Sequence, residues 1–335
     1  MNIIIPMAGM GKRMRPHTLT TAKPLIPVAG KPVVQRLVED ITKVCGEKVN
    51  EIAFVINPAF GKQVEEDLKK IAKGQGAQAS IWYQENALGT AHAIMCAEKA
   101  ISGKTIVAFA DTLFKADFQM DTHQEGVIWV QKIEDPSQFG VVKINADNVI
   151  TDFVEKPKDF VSDLAIIGIY YFKDGENLKS ELKYLLDNNI MEKGEFQLTN
   201  ALENMKRKGM KFFPGKVTEW LDCGNKDATV YTNQRVLEFE KGLPSLRASS
   251  ALIINSTIIE PCYIGEGTKI INSVVGPHVS VGGDSNVENS VIRNSIIQNN
   301  SKVISANIVN SMIGNHAEIR GRALDLSVGD FNTYA

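Results

Sequence analysis

The chain is short of several things, and each shortage removes a class of protein. Its four cysteines, Cys45, Cys96, Cys223 and Cys262, stand far apart with no C-x-x-C pair. A disulfide framework and a zinc site both need closer spacing, so these read as reduced structural thiols. The longest apolar stretch, 164–172, is far shorter than the ~20 residues of a membrane-spanning helix. No basic-then-apolar leader opens the sequence. Net charge is nearly balanced at −2, which argues against a general binder of nucleic acid or of anionic membrane. A soluble cytoplasmic protein is expected, and any polyanion site in it must be local. With 335 residues the chain is long enough for two domains.

One further shortage is confined to the amino terminus. Residues 1–38 contain no Asp or Glu, and the first acid is Glu39. The same stretch carries Lys12, Arg13, Arg15, Lys23, Lys31 and Arg36. It begins with the apolar run Ile3-Ile4-Ile5 and opens into Gly9-Met10-Gly11. A buried strand that ends in glycines lets backbone N–H groups approach a ligand, and unpaired cations beside it suit phosphate. Two familiar phosphate motifs do not apply. The P-loop fails because Arg13 follows Gly11-Lys12 where a hydroxyl is required, and the dinucleotide fingerprint fails because its third glycine is Met14.

The composite that does fit runs G-x-G-K-R-M-x-P-x-T, then K-P-L-I-P, then G-K-P, all in order between Gly9 and Pro32. It resembles the signature of the sugar-1-phosphate nucleotidyltransferases, also called nucleoside-diphosphate-sugar pyrophosphorylases. That resemblance assigns Arg13 to the triphosphate of the nucleotide and Lys23 to the reacting phosphates, with Gly9 and Gly11 lending backbone amides.

Past the basic loop, spacing predicts a helix over 33–44 with Val34, Leu37, Val38 and Ile41 on one face, and a strand over 52–56. A helix over 64–72, a strand over 80–83, a helix over 90–100 capped by Thr90 and a strand over 106–110 ending at Asp111 follow. Such alternation means a mostly parallel sheet covered on both faces, with ligands beyond the carboxyl ends of its strands. From Gly126 short strands are expected at 127–132, 140–144, 149–154 and 166–172, then helices over 178–188, 198–208 and 226–241. The catalytic domain is placed at 1–242 and a linker at 243–250.

Beyond the linker, aliphatic residues recur every five or six positions: Ile253, Ile259, Ile264, Ile270, Val275, Val281 and onward to Ile319. An Asn-Ser pair also returns at Asn255, Asn272, Asn289, Asn294 and Asn310. Antiparallel strands would alternate every two residues. Three steps of this kind instead make one coil of a triangular parallel β-helix of about four coils over 251–322, before a tail at 323–335. Its left-handedness is implied by resemblance to the hexapeptide-repeat tails of these transferases. The fold class expected is therefore α/β: a Rossmann-like, mostly parallel mixed sheet with helices on both faces, followed by a short left-handed parallel β-helix.

The implied chemistry joins a sugar-1-phosphate to a nucleoside triphosphate. A phosphate monoester has a second pKa near 6 and is largely dianionic at neutral pH, so no general base is required. The difficulty is charge and in-line alignment, which call for cations and a metal. By resemblance, Asp111 and Asp222 are the magnesium ligands. Asp111 lies in Ala110-Asp111-Thr112 where relatives usually have Gly-Asp-Asn, a change that keeps the carboxylate. Glu155-Lys156-Pro157 matches an E-K-P motif that holds a sugar hydroxyl and the sugar phosphate, and Gly140 belongs to a segment lying under the sugar. Gln84 and Gly89, in Gln84-Glu85-Asn86-Ala87-Leu88-Gly89-Thr90, resemble the base-reading segment of relatives that use UTP or dTTP. A Gln amide can donate and accept at once against a pyrimidine imide. His92 is read as a helix-surface histidine without a visible partner. Ile166 stands where N-acetylhexosamine-specific relatives often have Asn, which favours glucose-1-phosphate. UTP and dTTP are not separated. A homo-oligomer is expected, with no nucleic-acid or membrane partner. Three other readings stay open: a non-catalytic sugar-nucleotide-binding subunit, a transferase for mannose-1-phosphate and GTP, and a bifunctional enzyme that also acetylates. His278 and His316 are taken as coil corners, against the last of these.

Overall fold

The computed structural model describes residues 1–116 and 119–322; the expected tail, 323–335, lies outside them. Two compact units divide the described chain: residues 1–26 with 31–225, and residues 27–30 with 226–322. The helix 226–239 therefore groups with the repeat region, so the division falls one helix before the linker expected at 243–250.

In the first unit the elements run β1 (Asn2–Pro6), α1 (Val33–Val44), β2 (Glu51–Ile56), α2 (Lys62–Gly74), β3 (Gln78–Tyr83), α3 (Thr90–Met95), β4 (Thr105–Ala108) and β5 (Thr112–Lys115). Then come β6 (Gly126–Lys132), β7 (Gly140–Ile144), β8 (Ile150–Glu155), β9 (Leu164–Phe172), α4 (Gly175–Asp187), α5 (Leu198–Arg207), β10 (Phe212–Lys216) and β11 (Glu219–Asp222). A nine-stranded sheet has the order β3-β2-β1-β4-β9-β7-β8, with β6 on β9 and β10 on β6. β3, β2, β1 and β4 are parallel, whereas β9 runs antiparallel to β4 and to β6.

Burial explains why these residues take these positions. Ile3, Ile4 and Ile5 are all fully buried in β1, as a strand covered on both faces requires. Helix α1 buries Val34, Leu37, Val38 and Ile41, the face its spacing predicts. The apolar run 164–172 is strand β9, threaded through the core. Its pairing with β6 shifts register between Ile166 and Tyr170, where Gly168 has φ 85. Such a bulge re-aims side chains, here those of the strand that lines the site. Burial pushes the Cys45 thiol up to about 12, so it stays protonated and inert.

Two local expectations fail. The helix expected over 90–100 stops as α3 at Met95, and a separate 3-10 turn covers Glu98–Ala100. Thr90 does not cap it, because Gly89 holds the N-cap position and the Thr90 hydroxyl is committed to residues 197 and 198.

The second unit contains α6 (Lys226–Phe239) and a parallel β-helix of three sheets. One face stacks Leu252–Ile254, Lys269–Ile271, Asn286–Glu288, Lys302–Ile304 and Glu318–Arg320 in parallel register. The arrangement fits the left-handed β-helix that the resemblance implied. Asn255, Asn272, Asn289, Asn294 and Asn310 all have φ between 41 and 50. Asparagine tolerates that left-handed conformation better than other side chains with a Cβ, which accounts for its return at the corners. The serine after it makes a second ladder: Ser256 Oγ accepts from Ser273 N–H, and Ser273 Oγ from Ser290 N–H. The aliphatic ladder needs one correction. Register pairs Ile258, not Ile259, with Val275, and Ile259 is 43% exposed. Either of two adjacent isoleucines satisfies a five-or-six-residue step, so spacing alone could not separate them.

Within this unit, Asn233 of α6 is fully buried and accepts from Ala29 N–H at 2.9 Å and from Ser280 Oγ at 2.6 Å. A Cβ on Gly30 would lie 2.2 Å from the Tyr263 ring. No helix among the described residues is long and apolar enough to cross a membrane.

Candidate active site

Three carboxyl ends of the parallel strands converge on one cavity of about 570 Å³. β1 leads into Met7, Ala8 and the Gly9–Gly11 loop. Gly11 has φ 57, and a Cβ there would approach the side chains of Lys23 and Thr18 to 2.9 Å. Thr18 Oγ1 closes the loop by donating to Gly11 O at 2.8 Å. Met14 is buried and anchors the short turn that carries Lys12 and Arg13. Gly9, Gly11, Arg13 and Lys23 all line the cavity.

Asp111 follows β4, and Asp222 ends β11. The antiparallel pair β5–β11 sets Asp222 opposite Thr112, and Cys223 N–H donates to Asp111 O at 2.9 Å. This pairing brings together two acids that are 111 residues apart in sequence. Burial, then the charge of Asp111, lift the Asp222 carboxyl above its usual range, against the opposing pull of Lys23 and Arg13. Asp222 Oδ1 accepts from Gly224 N–H at 2.9 Å. A Cβ on Gly224 would meet both Asp222 oxygens at 2.9 Å and an Arg13 guanidinium nitrogen at 3.2 Å. Lys23 Nζ, expected at the phosphates, lies 2.9 Å from Asp111 Oδ2. At that distance the cation and the acid neutralise each other.

Arg13, Asp111 and Asp222 also border a recess of about 220 Å³ with a different lining. Gly140 pairs with Glu155 across β7–β8, and a Cβ on Gly140 would lie 3.2 Å from Glu155 Oε2 and 3.3 Å from Ile166 Cδ1. Three residues singled out in the sequence thus meet at one point. Lys156 has φ 42, an uncommon backbone for a lysine. Its N–H donates to Phe139 O, and Lys193 Nζ donates to the carbonyls of Glu155 and Lys156 at 3.0 and 3.1 Å. Phe139 packs edge-on against Trp220 with centroids 4.9 Å apart, and Trp220 Nε1 donates to Thr112 Oγ1 at 2.8 Å.

Gln84 and Gly89 form the far corner of the larger cavity. Gly89 has φ 114, and a Cβ there would come within 2.5 Å of Phe196 O. Its neighbours are clamped to the same residue, since Phe196 N–H donates to Leu88 O and Ala91 N–H donates to Phe196 O. Gln84 Nε2 donates to Gly89 O at 3.3 Å and lies 3.0 Å from His92 Nδ1. His92 therefore has a partner after all.

Sequence reasoning missed several residues at the rim. Glu195 lines the larger of these two cavities, and Gln197, Thr199, Tyr170 and Trp220 line the recess. Thr199 Oγ1 donates to Glu155 Oε2 at 3.3 Å. The available signal was the polar cluster Glu195-Phe196-Gln197-Leu198-Thr199 at a helix start, a position that backbone N–H groups also occupy.

Comparison with known proteins identifies the family. The family model described as nucleotidyl transferase matches residues 2–238. The chain belongs to the nucleotidyl transferase family. This nucleotidyltransferase is 29% identical to the low-salt glycan biosynthesis nucleotidyltransferase Agl11 of Haloferax volcanii, over 94% of this chain and 93% of that one. It is 27% identical to a glucose-1-phosphate thymidylyltransferase of Streptomyces antibioticus, over 95% and 93% of the two chains. Among solved structures it is similar to a UDP-glucose pyrophosphorylase complexed with UDP-glucose, at TM-score 0.58 and 24% identity, over 71% of this chain and 98% of that one. That likeness concerns the fold.

Proposed function

We propose that this nucleotidyltransferase condenses glucose-1-phosphate with UTP or dTTP to give a nucleoside diphosphate sugar and pyrophosphate. The observation that carries the reading is the meeting of Arg13, Lys23, Asp111 and Asp222 where a larger cavity borders the smaller recess holding Gly140, Glu155 and Lys156. A phosphate of the sugar and the α-phosphate of the nucleotide fit together at that border. The sugar-phosphate oxygen attacks the α-phosphorus, and the bond to pyrophosphate breaks in line with it. Arg13 and Lys23 neutralise the charge that moves onto the leaving group. The attacking phosphate is already ionised, so no side chain need take a proton.

A divalent metal, magnesium in this proposal, fits between Asp111 and Asp222. Two adjacent carboxylates, one lifted by burial and then by the charge of the other, meet the electrostatic condition that a cation relieves. Among the described residues no cluster of three or more metal-binding side chains exists. Magnesium suits a site of one or two carboxylates, because it keeps waters and takes phosphate oxygens as its remaining ligands. Bound there, it would polarise the α-phosphate and offset charge on pyrophosphate.

Relatives named glucose-1-phosphate thymidylyltransferase support the choice of sugar and base. So does Ile166, a buried aliphatic side chain on the wall of the recess that offers nothing to an N-acetyl amide. A homo-oligomer in the cytoplasm remains part of the proposal. The test is magnesium-dependent pyrophosphate release over all common nucleoside triphosphates crossed with a panel of sugar-1-phosphates. Turnover confined to UTP or dTTP with glucose-1-phosphate is expected. Turnover only with GTP and mannose-1-phosphate overturns the substrate choice, and binding of sugar nucleotides without turnover overturns catalysis.

A further inference from the structure

We infer that His92 is a positioning residue that fixes which end of the Gln84 amide faces the base, so that pyrimidine choice depends on the histidine tautomer. The inference rests on the reading of Gln84 as the base-recognition residue. Gln84 is 7% exposed, and its amide nitrogen has two protein neighbours, Gly89 O at 3.3 Å and His92 Nδ1 at 3.0 Å. Gly89 O can only accept, so the amide end facing it must be the NH2 group. A flipped amide would set oxygen against oxygen. The second amide hydrogen then points at His92 Nδ1, which must be unprotonated to receive it. That places the ring proton on Nε2. Burial lowers the His92 pKa below its ordinary value, which keeps the ring neutral as this arrangement needs.

The consequence concerns what Gln84 can offer a ligand. Both amide hydrogens are spent on the protein, so only Oε1 is left for the base. The side chain therefore reads as an acceptor and not as the donor–acceptor pair its chemistry would allow. An acceptor matches the N3–H of uracil or thymine, whereas cytosine presents a lone pair at N3. Without the acceptor at His92 Nδ1, one amide hydrogen is buried and unmade, and the long Gly89 contact alone opposes the flip. The flipped amide would then donate to cytosine N3.

The experiment measures kcat/KM with UTP, dTTP and CTP for the parent, His92→Leu, His92→Gln and Gln84→Ala. His92→Leu is expected to reduce the preference for the better of UTP and dTTP over CTP by about tenfold or more, the scale of one buried unmade hydrogen bond. His92→Gln, which can still offer a carbonyl oxygen, is expected to recover part of that preference. Equal losses on all three nucleotides in both variants would make His92 merely structural and overturn the inference. Gln84→Ala separates the two layers. If it leaves the preference intact, Gln84 does not read the base and the underlying reading fails. If it collapses the preference while His92→Leu does not, only the positioning role fails. Nitrogen NMR of the parent protein with labelled histidine needs no variant: Nδ1 unprotonated and Nε2 protonated at pH 7 is expected, and the opposite tautomer overturns the inference.

Discussion

Asp222→Asn separates catalysis from stability more sharply than any other substitution in the site. In the ligand-free protein the Asp222 carboxyl is raised by burial and by the Asp111 charge. For an acid, a raised folded pKa means the native state binds the proton more tightly than the unfolded state. Stability therefore falls as pH rises through the window from the unfolded value of 3.8 to the raised folded value, and the cost is fully present once pH has passed the folded value. Asparagine removes the charge while keeping Oδ1 as acceptor for Gly224 N–H. Relief of strain of this kind at functional sites is typically worth ~1 kcal/mol, or about 2–4 °C in Tm for a unit of this size. Turnover should move the other way. Loss of a carboxylate proposed to hold the metal forfeits several kcal/mol of transition-state charge stabilisation, and at ~4 kcal/mol the rate falls about a thousandfold. The assay is calorimetry without ligand at pH 5 and pH 7, alongside pyrophosphate release at several magnesium concentrations. Near-parental turnover with unchanged magnesium dependence would remove Asp222 from the metal site. A clear drop in Tm would refute the electrostatic account of its ionisation.

Other outcomes follow from the same geometry. Arg13→Ala should lower kcat at least a hundredfold, the scale of a lost transition-state contact, with Tm within about 2 °C of the parent; steady-state kinetics and a melting curve check both. Gly89→Ala forces a Cβ to within 2.5 Å of Phe196 O at φ 114, so a stability loss of about 2 kcal/mol or more and a raised nucleotide KM are expected in denaturant titration and kinetics. Lys193→Ala frees the carbonyls of Glu155 and Lys156 and should raise the KM for sugar-1-phosphate about tenfold while leaving that for the nucleotide unchanged. Equal changes in both constants would mean that Lys193 supports the fold and not the sugar corner.

Much of the fold was legible because burial imposes period on sequence. Helix α1 and strand β2 sit almost where Val34, Leu37, Val38, Ile41 and the run 52–56 place them. The reach of α3 was misread because Ala97 and Ala100 keep an apolar face while the chain changes to a 3-10 turn. Side-chain commitment was less legible still. Thr90 looks like a cap, yet its hydroxyl serves Gln197 and Leu198, more than a hundred residues away. The meeting of Gly140, Glu155 and Ile166 depends on strand register, and the bond from Gln84 to His92 depends on how a loop returns. Neither leaves a periodic trace. What resemblance supplied was a set of positions, and what the structure adds is which of them touch.

The four residues 27–30 bear on how this protein could be cut or recombined. They begin with the last proline of the K-P-L-I-P motif, yet they belong to the unit that starts again at Lys226. Ala29 has its backbone partner in Asn233, and Gly30 lies under Tyr263. A fragment ending at residue 242 keeps the first of these supports and loses the second. The boundary between catalytic domain and repeat is thus not a seam in the chain. A repeat grafted from a relative would have to bring an aromatic ring that fits against Gly30 as Tyr263 does, a steric requirement linking two positions some two hundred residues apart in the sequence.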